Sequence, residues 1–139
     1  MINRKSKSKH RQLEIECDIF ATQIVLHLDN GRCALCSSTW RMSPHHIIKR
    51  DNKRVRHNPN NLILLCEDCH NKAEASDEWF LIQLKEKYPH MHSWHLTNDY
   101  HEVMQFYHQH LEKVYAALRT VHMRMIMEPD ETRKRFRRI

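Results

Sequence analysis

Two Cys-x-x-Cys pairs, Cys33/Cys36 and Cys66/Cys69, constrain this chain of 139 residues more than any other feature. Cysteines at i and i+3 reach one ion from a tight turn, and Zn²⁺ accepts four thiolates in a tetrahedral array. A redox pair fits poorly, because no βαβ pattern accompanies either motif. Disulfides fit no better, because the opening MINRKSKSKHRQLE has no apolar stretch of a secretory leader. The expectation is a cytoplasmic chain with reduced thiols and one structural Zn²⁺. Residues 37–65, 29 in all, separate the pairs. That is longer than the ~15–20 of a zinc ribbon, so chemistry is expected inside the insert.

One glycine and four prolines exclude a collagen-like chain, a flexible linker and most turn-rich all-β folds. No apolar run approaches the ~20 residues of a membrane helix. Lysine and arginine outnumber acids 23 to 17, a net charge of +6 with histidine neutral. That balance favours a polyanionic partner, nucleic acid ahead of an acidic membrane surface.

Residues 1–11 carry Arg4, Lys5, Lys7, Lys9 and Arg11 without an acid, which predicts a mobile basic arm or a merely solubilising tail. Residues 12–31 predict a helix with the stripe Leu13, Cys17, Phe20, Ile24 and Leu28, ended by Asp29-Asn30-Gly31. Thr39–Ile48 and Leu62–Leu65 read as strands, and Glu67–Ala75 as a helix. Ser76 is an N-cap for a helix reaching Tyr88, where Pro89 stops it. A His-rich connector and one long helix over Leu96–Met127 follow. The stripe Tyr107, Leu111, Val114, Leu118, Val121 and Met125 predicts packing on the N-terminal helix, with a homodimeric coiled coil as the alternative. Residues 129–139 read as a basic tail. His90, His92, His95, His101, His108 and His110 read as surface residues. Trp40 is expected under the zinc knuckle, or else stacked on a base.

Adjacent strand residues point to opposite faces, so His45 and His46 in Pro44-His45-His46-Ile47-Ile48 cannot share one role. His70 directly follows Cys69, and Glu74 lies four residues on, on the same helical face. His45, His70 and Glu74 can therefore form a second metal site.

Taken together, CALC at 33–36, HHII at 45–48, NLILLC at 61–66 and CEDCH at 66–70 resemble the HNH endonuclease family, in its zinc-stabilised branch with the ββα-metal fold. The resemblance covers residues 30–75. It implies an α+β protein, with a small ββα-metal core at 32–75 stapled by the four-cysteine zinc site. An N-terminal helix and C-terminal helices over 76–128 flank that core. The implied activity is metal-dependent hydrolysis of DNA, leaving 5′-phosphate and 3′-hydroxyl ends. The implied roles are His46 as general base, His45 and His70 as ligands of one catalytic divalent metal, and Asn61 as the catalytic-site residue that shapes the loop between the strands. Some members carry a further ligand where this chain has Glu74. His45 stands where Asp is common, and an imidazole-rich site shifts preference from Mg²⁺ toward Mn²⁺, Ni²⁺ or Zn²⁺. Lys49, Arg50, Lys53, Arg54 and Arg56 of the intervening loop are expected to contact DNA phosphates. A bacterial or phage origin is implied. The alternatives are a catalytically silent zinc-stabilised DNA-binding or scaffold module, and a nuclease active only within a phage packaging or recombination complex.

Overall fold

A computed structural model describes residues 4–137. In chain order they form α1 (Arg4–Leu28), β1 (Ser43–His46), a 3-10 turn at Pro59–Asn61, β2 (Leu62–Leu65), α2 (Glu67–Ala75), α3 (Asp77–Lys87), α4 (Pro89–Asn98), α5 (Tyr107–Met127) and α6 (Pro129–Arg137). The fold is α+β, as expected. β1 and β2 are antiparallel, with Ser43 opposite Leu65 and His46 opposite Leu62.

β2 is the hub. Its sequence LILL has no polar alternation, and all four residues are buried, the pattern of a strand covered on both faces. Leu62 and Leu64 join one core with Cys17, Ala21, Ile24, Val25 and Leu28 of α1 and Leu111, Leu118 and Met125 of α5. Ile63 and Leu65 join a second core with Cys33, Cys66, Phe80, Leu84 and Met91. The strand's two-residue period thus splits one short segment between two cores. The apolar stripes of α1 and α5 meet each other within one chain, the packing expected of the N-terminal helix.

The outward edge of β2 is fully bonded. The Leu62 N–H donates to the Pro59 carbonyl. The Leu64 N–H donates to Asp29 Oδ2 at 2.9 Å. Ala34 N–H reaches the Leu64 carbonyl at 2.9 Å, and Arg137 Nη2 reaches the Leu62 carbonyl at 2.8 Å.

Local signals explain most boundaries. α1 ends where Asn30 and Gly31 take positive φ, 54° and 66°, and the Gly31 N–H closes on the Leu26 carbonyl at 2.8 Å. The Ser76 side chain accepts the Trp79 N–H at 3.1 Å, and Asp77 and Glu78 sit in the first turn of α3. No helix among the described residues is long and apolar enough to cross a membrane.

Five expectations need correction. The basic arm is helical from Arg4, continuous with α1; residues 1–3 lie outside the described residues. The first strand is shorter than Thr39–Ile48, because Arg41 has φ 49° and breaks the extended run. The His-rich connector is α4, with Pro89 in its first turn, where a missing N–H costs nothing. The long helix is interrupted at residues 99–106. Arg54 takes the Asn98 carbonyl, and Asn52 Nδ2 takes that of Tyr100 at 3.0 Å, so neither is left to a helical ladder. The basic tail is also ordered up to Arg137, whose buried guanidinium pairs with buried Asp29 at 2.8 Å; residues 138 and 139 lie outside the described residues.

Candidate metal centres and active site

The two cysteine pairs converge. The Sγ atoms of Cys33, Cys36, Cys66 and Cys69 all lie within 4.8 Å of one another, and Cys36 and Cys66 are 3.5 Å apart. Four sulfurs about 2.3 Å from one zinc ion would sit ~3.8 Å apart, so the residues present fit such an ion. The first pair is held in a tight loop by the Cys33 N–H on Ser38 O and the Ser37 N–H on Cys33 O, both 2.8 Å. The second pair opens α2, with Cys66 as N-cap accepting the Cys69 N–H. Burial and the neighbouring thiols push the Cys69 thiol up. Burial would raise Cys33 too, but backbone hydrogen bonds outweigh it and bring it down to about 7. A cation bound among the four sulfurs would favour the thiolate form of each. Cys17 is fully buried in the α1–α5 core, and burial raises its thiol to about 11, as fits an inert apolar filler.

A second cluster forms where β1 crosses the start of α2. One ligand atom each from His45, His70 and Glu74 lies within 4.8 Å of the others. His70 Nε2 is 3.3 Å and His45 Nδ1 3.9 Å from Glu74 Oε1. The other nitrogen of His70, Nδ1, is 2.8 Å from Ser43 Oγ. That bond orients the ring and leaves Nε2 toward the cluster, as metal-ligating histidines require. Burial, then the adjacent His70, pushes His45 down to about 4, so its ring is neutral and able to ligate. Its ring also packs edge-on against Phe80 at 4.7 Å. This donor set fits one divalent ion with positions left for water and phosphate.

His46 faces the other way, toward α1. Its Nε2 is 3.1 Å from the Arg56 carbonyl. A carbonyl only accepts, so Nε2 carries the proton and Nδ1 keeps a lone pair. Burial pushes His46 down to about 4, with the Arg50 and Arg56 charges adding to the effect. His45, His46, His70 and Glu74 line one cleft of about 800 Å³ with Lys49 and Arg50. Asn61 is fully buried. Its Oδ1 accepts the Ile48 N–H at 2.6 Å, and its Nδ2 donates to the Ile48 and Val55 carbonyls at 3.0 and 3.2 Å. It therefore staples the loop between the strands.

The basic loop is not one phosphate-contacting surface. Arg56 is buried and bound to Glu14 and Asp18 of α1 at 3.3 and 2.8 Å. Arg54 stacks on Tyr100 at 3.8 Å, and the Lys53 ammonium lies 4.6 Å over the Tyr107 ring. Lys49 and Arg50 alone of the five line the cleft. Trp40 is 57% exposed with the Arg41 guanidinium over its ring, so it does not pack under the zinc knuckle. The surface reading of His95 is corrected as well: it is 8% exposed and lines the cleft wall with Asp99 and His101. No motif marks these three, and α1's acids carry no signal beyond helical spacing.

No curated protein and no solved structure matches the chain. Residues 33–76, which carry both cysteine pairs, His45, His46, Asn61, His70 and Glu74, match the family model described as HNH endonuclease.

Proposed function

We propose that the chain is a metal-dependent DNA endonuclease that hydrolyses phosphodiester bonds. The observation that carries this reading is the pairing, in one cleft, of a neutral histidine with a free Nδ1 lone pair and a three-residue metal-ligand cluster. His46 Nδ1 takes a proton from an attacking water, and the Arg56 carbonyl stabilises the cation that forms. His45, His70 and Glu74 hold the catalytic metal, and the four cysteines hold structural zinc. The chemistry such a metal supplies when bound is neutralisation of the phosphate and of the departing 3′ oxygen. Lys49 and Arg50 hold the strand at the cleft. The products expected are 5′-phosphate and 3′-hydroxyl ends.

The test is nicking of supercoiled plasmid by wild type and His46→Ala, with EDTA, Mg²⁺, Mn²⁺, Ni²⁺ or Zn²⁺. Metal-dependent nicking that falls by about 10²–10⁴-fold in folded His46→Ala is expected. No nicking under any metal by folded, zinc-loaded wild type would overturn the reading in favour of a zinc-stabilised binding module.

A further inference from the structure

The carbonyl that fixes the His46 tautomer belongs to the peptide between Arg56 and His57. Both of those side chains are gripped by one carboxylate. Asp18 Oδ2 lies 2.8 Å from Arg56 Nη2, while Oδ1 lies 3.1 Å from Arg56 Nε and 2.7 Å from His57 Nε2. Glu14, one turn earlier on α1, adds a contact to Arg56 at 3.3 Å. Arg56 and His57 are 8% and 3% exposed, so neither side chain has water as an easy substitute. On the other side, Asn61 holds the Val55 carbonyl at 3.2 Å. The peptide is thus flanked by grips from α1 and from the 3-10 turn before β2, and its oxygen points at His46 Nε2, 3.1 Å away.

We propose that Asp18 is a positioning residue for the base: by holding Arg56 and His57 at once it aims the carbonyl between them, and that carbonyl sets the tautomer of His46. The inference rests on the nuclease reading for its consequence in catalysis. Asp18 lies on α1, outside residues 33–76, so the matched segment does not contain it. Burial opposes the charge of Asp18, yet hydrogen bonds from His57 and Arg56 outweigh it and hold the carboxyl at about 2. The grip is therefore ionic at any pH at which the enzyme works. Without it the Arg56 peptide can rotate, His46 can carry its proton on Nδ1 instead, and Nδ1 is then no longer a base.

The experiment reads the tautomer directly. Full-length, zinc-loaded, ¹⁵N-labelled protein is examined by long-range ¹H–¹⁵N correlation, with the His46 ring assigned from its absence in His46→Gln. Wild type is expected in the Nε2–H form. Asp18→Asn, which keeps the shape and loses the charge, is expected to mix both tautomers. Its plasmid-nicking kcat is expected to fall about 10- to 100-fold while KM moves less. Arg56→Met, which keeps the alkyl packing, is expected to do the same, and the double variant to do no worse than either single. Should Asp18→Asn fail to fold, Arg56→Met carries the test. A pure Nε2–H ring in either folded variant, with an unchanged rate, overturns the inference and leaves the nuclease reading standing. A wild type that nicks nothing overturns the nuclease reading, and the ring spectrum still decides whether Asp18 aims the carbonyl.

Discussion

Asn61 illustrates how much one side chain can be asked to do. It makes three hydrogen bonds while fully buried, and each partner is a backbone group of a buried residue, Ile48 or Val55. Replacing it by alanine strands the Ile48 N–H and two carbonyls, so Asn61→Ala should cost about 2–4 kcal/mol in urea unfolding. A loss below about 1 kcal/mol would mean that the loop finds other partners. Asp18 makes a separate, pH-dependent contribution. Its carboxyl titrates near 3.8 when unpaired and near 2 when bound to His57 and Arg56. A lowered folded value stabilises above the unfolded one and is lost as pH falls through the folded one. Wild type should therefore exceed Asp18→Asn by about 1–2 kcal/mol at pH 5, after discount for its partial exposure, and that gap should close between pH 4 and pH 2 in acid-unfolding curves.

At the scale of elements, what the sequence discloses is what is local. The cysteine spacing, the LILL strand, α2 and the Ser76 cap all depend on residues within a turn or two of each other, and each lies where its pattern predicts. The convergence of His45, His70 and Glu74 is legible for the same reason, once strand and helix faces are assigned. The break after α4 depends on Arg54 and Asn52, more than 40 residues upstream, capturing the Asn98 and Tyr100 carbonyls. No local pattern in residues 96–127 reveals that. Arg56 misleads for a similar reason: a cation in a basic loop reads as a phosphate contact until Glu14 and Asp18 are found beside it. α6 is the clearest case. Arg137 reads as part of a tail, yet it is buried against Asp29, which is itself nearly inaccessible. Breaking a buried pair leaves a charge without a partner, so Arg137→Ala should lose about 3–5 kcal/mol. The double variant Asp29→Asn/Arg137→Met should lose less than the two single changes added together, as a denaturant double-mutant cycle would report.

For the whole molecule, the four-cysteine cluster is the joint between the loop at 33–38 and α2, and both contribute to the core beneath Ile63 and Leu65. Chelation at pH 7 should therefore expose the Cys33, Cys36, Cys66 and Cys69 thiols to a thiol reagent and lower Tm by about 10 °C or more. Unchanged melting would mean that the cysteines are not a structural ligand set. Charge also acts at this scale. Lys49 and Arg50 line the cleft, Arg50 with its exposed guanidinium 3.6 Å from Asp18 Oδ2, while Arg54 and Arg56 are bound more tightly within the protein. Alanine at both Lys49 and Arg50 should weaken DNA binding and reduce the salt slope by about one unit for each phosphate no longer neutralised, measured by anisotropy. Alanine at Arg54 should instead release the 99–106 loop, visible as faster amide exchange.

The outward edge of β2 has a consequence for solubility. A short, wholly aliphatic strand with an open edge is a template on which other chains stack into fibrils. Here the Leu62 and Leu64 amides and carbonyls are taken by Pro59, Asp29, Ala34 and Arg137, drawn from three separate parts of the chain. Two of these partners are the buried ion pair, so the contact that closes the fold at its two ends also keeps its stickiest segment from recruiting a neighbour.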